Sequence, residues 1–98
     1  MIVTLNEMKK YLRIELDDDF EDDLLSSLLV TADEYVKEGT GFTFSNSIPE
    51  RAKMVVKLLV SNWYENRELA SNNGKNKVPY TVEALLGQLK LTYSEDEV

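Results

Sequence analysis

The residues in this chain best suited to chemistry by type and spacing are carboxylates. The stretch "DDDFEDD" places Asp17, Asp18, Asp19, Glu21, Asp22 and Asp23 within seven positions, a density of hard oxygen donors that suits calcium or magnesium. An EF-hand loop, however, needs glycine at its sixth position and glutamate at its twelfth; counted from Asp17 those places hold Asp22 and Leu28. The same run has a simpler physical use, because carboxylates gather where the positive end of a helix dipole stabilises them. It also makes an acidic rim fit for a basic partner.

Carboxylate pairs for acid–base work can be drawn from Glu15, Glu34, Glu38, Glu50, Glu65 or Glu68, yet an acidic chain always offers such pairs and nothing here singles one out. Histidine and cysteine are both absent. Their absence removes Ser-His and Cys-His catalysis, thiolate metal sites and disulfides. The glycines of "GTG" do not form a phosphate-binding pattern. These gaps predict a protein that is not an enzyme and carries no cofactor or metal.

The formal charge of −7 at pH 7 opposes binding to phosphate backbones, since nucleic-acid binders carry a basic footprint. Lys75 and Lys77 of "NGKNK" are two cations in a polar connection, enough for weak and unspecific contact with DNA and no more. The opening "MIVTLNEMKK" lacks a long apolar segment, and the densest apolar run, "MVVKLLV", is interrupted by Lys57 and is too short for a bilayer. The expectation is a cytoplasmic protein without a membrane span.

One cluster fits neither acid–base chemistry nor a plain surface. "WYENRE", Trp63 to Glu68, ends the most apolar helical pattern in the chain. Trp63 and Tyr64 continue its stripe, with Trp63 in the core and the Tyr64 hydroxyl at its edge; Asn66 and Arg67 suit the last turn, near carbonyls and the negative dipole end. Aromatic side chains beside an arginine are also what protein contacts enrich.

Helices must position these residues. Thr4 and Glu7 have the spacing of a capping box, and Leu5, Met8 and Leu12 then share a face, which predicts a short first helix. Leu24, Leu25, Leu28, Leu29, Ala32, Tyr35 and Val36 recur at three-and-four spacing, predicting a long helix from about Asp19 to about Glu38 that stops at Gly39 or Gly41. "FTFSNSIP" reads as a loop or a short extended piece, with Pro49 in the first turn of a third helix. Ala52, Val55, Val56, Leu59, Val60, Trp63 and Tyr64 make that helix the centre of the core. A last short helix after Pro79 carries Val82, Leu85, Leu86 and Leu89. The predicted fold is all-α: one domain over residues 1–98, a small bundle or orthogonal array of about four helices, two long and two short. A flexible loop over about 71–78 and an acidic tail over about 92–98 complete it. So small a core gains from burial against a partner.

Taken in order, "LNEMKKYLRIELDDDFEDDLL", the helix end from Ala32 to Gly41, "IPERAKMVVKLLVSNWYENRE" and "VPYTVEALLGQLK" resemble the phage head-tail connector (adaptor) family, also described as possible DNA-packaging proteins. The most specific elements are Lys9 to Ile14 followed by Asp17 to Asp23, and Trp63 to Glu68. The resemblance implies a small helical structural subunit of a tailed phage or prophage without catalysis. It implies a homo-oligomeric ring, twelvefold in the virion, at the head–tail junction and assembled in the host cytoplasm. The portal protein lies on one side and a tail-completion protein on the other, and DNA passes through a channel without specific binding. In such a ring Tyr64, Asn66 and Arg67 are expected at the subunit contact, with Arg67 pairing a neighbour's carboxylate among Asp17, Asp18, Asp19, Asp22 and Asp23. Lys75 and Lys77 are expected on a loop facing the portal or DNA. The competing readings are a small helical regulator of one protein partner, a DNA-packaging accessory that binds duplex directly, and, last, a metal-dependent enzyme.

Overall fold

The computed structural model describes residues 1–44, 47–66 and 80–92. Four helices account for most of them: α1 (Leu5–Leu12), α2 (Asp22–Thr40), α3 (Glu50–Glu65) and α4 (Tyr80–Thr92), with no strand among the described residues. The fold is an all-α small bundle, as the periodicity predicts.

Helix α1 begins with the anticipated capping box. Thr4 Oγ1 accepts from the Glu7 amide at 3.1 Å and Glu7 Oε1 accepts from the Thr4 amide at 2.9 Å, which satisfies two donors that a helix start leaves open. Arg13 ends the helix in the left-handed region at φ 62°. Helix α2 starts later than its sequence pattern suggests, at Asp22 rather than near Asp19. Residues 15–21 are committed to two turns, closed by the Asp18 amide on Glu15 O and the Asp22 amide on Asp19 O. Its far end is Gly41 at φ 78°, whose amide donates to Lys37 O at 2.7 Å. That left-handed cap explains why glycine stands there.

Helices α2 and α3 share the most extensive contact, α4 packs on both, and α1 packs on α2 and, less extensively, on α3. Leu25, Leu29, Ala32 and Val36 of α2 meet Ala52, Val55, Val56, Leu59, Val60 and Trp63 of α3 in one buried cluster closed by Met8, Val82 and Leu89. The alternation of three and four therefore becomes two facing stripes. Close approach decides one position: a Cβ on Gly39 would lie 2.8 Å from Leu86 Cδ2, so glycine lets α4 settle on the end of α2. Ahead of α1, Ile2 and Val3 are buried, and the Ile2 amide donates to the buried Asp33 Oδ1 at 3.0 Å.

Pro49 is the N-cap of α3 rather than a residue of its first turn. Helix α3 stops at Glu65, and Asn66 is its C-cap. The expected loop over 71–78 lies outside the described residues, as do residues 93–98 of the expected acidic tail; Thr92 closes α4 and donates to Gln88 O.

Candidate functional site

The acidic stretch between α1 and α2 is a built structure rather than a loose collar. At its centre is Lys9, 1% exposed and the largest fully buried side chain among the described residues. Its Nζ donates to Leu16 O at 3.1 Å, to Asp18 O at 2.7 Å and to Asp22 Oδ1 at 2.8 Å. An ammonium has three protons and no acceptor, so all three are used. A buried cation is tolerated only when paired and hydrogen-bonded in this way. Lys9 thereby fastens the turn to the first turn of α2 from beneath.

Further bonds tighten the same segment. The Ile14 amide donates to Lys9 O at 2.8 Å, and the Phe20 amide donates to Asp18 Oδ1 at 3.2 Å, a local side-chain-to-backbone turn typical of aspartate. Asp22 and Asp23 fall in the first turn of α2, where the helix dipole favours negative charge. Glu21 is the N-cap but makes no side-chain capping bond; its carboxylate instead accepts from the Tyr64 hydroxyl at the end of α3.

The structure thus brings Tyr64 to the acidic run, within one chain. Asn66, exposed, donates from Nδ2 to Asn62 O at 2.9 Å and to Asn62 Oδ1 at 3.2 Å, closing the end of α3 as its type suggests. Asp17, Asp19 and Asp23 are exposed. Arg67, Glu68, Lys75 and Lys77 lie outside the described residues. Trp63 is buried, and among the described residues its indole N–H has no acceptor.

Between the turn and α3 lies a cavity of about 90 Å³ lined by Ile14, Asp18, Phe20, Glu21, Asp22, Leu25 and Tyr64. It is the size of one side chain and far below a small-molecule site. A shallower cleft of about 250 Å³ between α3 and α4 is lined by Leu58, Ser61, Asn62, Glu65, Thr81 and Val82. Among the described residues no group of three or more Asp or Glu side chains is placed to hold a metal ion. Lys9 engages the Leu16 and Asp18 carbonyls and the Asp22 carboxylate, and Asp18 Oδ1 accepts from an amide of the turn itself.

The family described as phage gp6-like head-tail connector protein matches residues 2–90. The chain belongs to this family. A search of curated proteins and a search of solved structures each returned no match. The connector family is structural rather than enzymatic, and membership makes the chain a component of the virion that assembles with other head and tail proteins. Among the described residues no helix is long and apolar enough to cross a membrane.

Reading the sequence identified the carboxylates and Tyr64 but not the residue that organises them. The signal for Lys9 was present: it stands four residues after Leu5 and three before Leu12, on the apolar stripe of α1. A lysine on such a stripe, followed by an acidic turn, is a candidate for burial beneath it.

Proposed function

We propose that this connector is one subunit of a closed ring at the head–tail junction, seated between the portal protein and a tail-completion protein, with DNA passing through its axis. The observation that carries this reading is the family match over residues 2–90. A net charge of −7 suits a channel wall that does not grip phosphates, because contacts to the backbone would add counterion-release affinity and slow the passage of DNA. The exposed Asp17, Asp19 and Asp23 of the acidic turn belong to the subunit contact in this reading, with Tyr64, Asn66 and Arg67 at or beside it.

The test is genetic and structural together. A nonsense mutation in the gene for this chain is expected to leave DNA-filled heads and free tails that do not join, with normal particles restored by the protein supplied in trans. Electron microscopy of intact particles is expected to place the chain as a ring at the junction. Joined, infective particles without it would end this reading. Firm binding of duplex by the purified protein at moderate salt would instead favour the DNA-packaging accessory.

A further inference from the structure

Two surfaces of this chain carry opposite charge around exposed apolar side chains. The first is the acidic turn, where Phe20 is 89% exposed, with Leu16 exposed near it, and Asp17, Asp19 and Asp23 stand around them. Isolated apolar residues on a surface are ordinary, but this one is displayed by a segment whose backbone is pinned by Lys9, by the Asp18 side chain and by two closed turns. A preformed display of an aromatic side chain avoids most of the ordering cost of binding.

The second surface lies where α1 meets α3. Tyr11 is 42% exposed and Met54 is 41% exposed. Lys57 Nζ sits 5.8 Å from the Tyr11 ring centroid, and Lys53 Nζ is 3.7 Å from Glu7 Oε2. Met54 has Arg51 one turn before it and Lys57 one turn after it on α3, so its exposed side chain is bordered by cations. Phenylalanine, methionine and tyrosine are types that contacts enrich, and a ring face accepts both a thioether and an ammonium.

We infer that Phe20 of one copy seats against Tyr11 and Met54 of a second copy, with Asp17, Asp19 and Asp23 facing Lys53 and Lys57 of that copy. The occupant is a second copy because both complementary halves are on this chain, whereas its net charge of −7 disfavours association by any route that does not set opposite signs together. A contact between two different surfaces can repeat from copy to copy until it closes. The inference rests on the ring reading for that closure, while the pairing of the two surfaces stands by itself.

Sedimentation of the whole purified chain from micromolar to millimolar concentration, alongside its variants, tests the pairing. Phe20→Ala is expected to weaken self-association roughly 30-fold, about 2 kcal/mol, the loss typical of a central aromatic anchor. Because Phe20 lies outside the core, its variant should keep the wild-type circular dichroism. Asp17→Lys with Asp19→Lys is expected to be monomeric, as is Lys53→Glu with Lys57→Glu. Mixing those two variants should restore association, since each brings one intact charge pattern to the other. Self-association of Phe20→Ala equal to wild type would overturn the pairing and leave the ring reading standing. A wild-type chain that stays monomeric throughout would also overturn it. Phe20-dependent assembly that saturates at two copies would support the pairing and remove the ring.

Discussion

Lys9→Met removes one ammonium and keeps nearly all of the side chain's volume, so its cost measures the polar clamp rather than packing. The substitution leaves Leu16 O, Asp18 O and Asp22 Oδ1 without the donor that now lies 2.7 to 3.1 Å away. Removing one partner of a fully buried ion pair costs about 3–5 kcal/mol, and one hydrogen bond to a charged group about 1.5–3 kcal/mol. The turn is at the surface, however, and Leu16 and Asp18 are exposed residues, so their carbonyls can take water once the turn loosens. The Asp22 side chain, 31% exposed, can do so in part. The expected loss is therefore about 2–4 kcal/mol, below the sum of three bonds. On a domain of this size it lowers Tm by roughly 10–25 °C.

The assay is urea or thermal unfolding followed by circular dichroism, paired with amide exchange of Ile14, Asp18 and Asp22, whose N–H groups close this segment. Faster exchange at those amides than in the middle of α3 would locate the damage in the turn. Lys9→Arg should fare little better, because a planar fork cannot direct its protons at three oxygens gathered around one nitrogen. Lys10→Met, on the exposed face of α1, is the control and should change stability by less than about 0.5 kcal/mol. A loss from Lys9→Met no larger than that of Lys10→Met would refute the clamp.

Three further outcomes follow from the same geometry. Gly41→Ala should cost about 1–2 kcal/mol in urea unfolding, because φ is 78° there and nothing lies within 4 Å of the added methyl, so the penalty is conformational and Gly41→Asn should recover part of it. Tyr64→Phe should cost about 1 kcal/mol and raise amide exchange near Glu21, since its hydroxyl joins α3 to the start of α2. The Thr4 amide, with help from the Thr4 hydroxyl and from Lys53 and Lys57, holds the Glu7 carboxyl below its ordinary value of 4.5 against a smaller opposing effect of burial. A lowered folded-state value stabilises above the unfolded value and is lost as pH falls through the folded one. Acid titration of unfolding stability should therefore show a decline below pH 4.5 that Glu7→Gln flattens.

The helices were legible because each is specified by residues close in sequence. Thr4 and Glu7 announce α1, two apolar stripes announce α2 and α3, and Gly41 announces the stop of α2. The boundaries that slipped are those where a polar group had a better local use. Asp19 looks like helix because carboxylates favour helix starts, but its carbonyl closes the turn that precedes α2. The arrangement of the acidic turn was less accessible for a different reason. Two of the three acceptors on Lys9 are main-chain carbonyls, which every residue possesses and no sequence pattern marks. Asp22 and Glu21 meet Lys9 and Tyr64 of their own chain, while Asp17, Asp19 and Asp23 stay exposed.

That distinction bears on how a small connector could assemble. If its acidic residues were unorganised before contact, each new neighbour would have to order a loop and align several charges at once, and much of the gain from contact would be lost to that ordering. With Lys9 bracing the turn from below, Asp22 and two carbonyls are already engaged, while Asp17, Asp19, Asp23 and Phe20 are exposed. The fold thus separates charges that hold its own turn from charges that stay exposed. A variant that breaks the clamp should then weaken assembly even though Lys9 itself is buried. In Lys9→Met at a temperature where the core stays folded, the association that depends on Phe20 should fall by about the same factor as the population of the closed turn. Association unchanged while exchange shows the turn open would separate the two, and preorganisation would have no part in assembly.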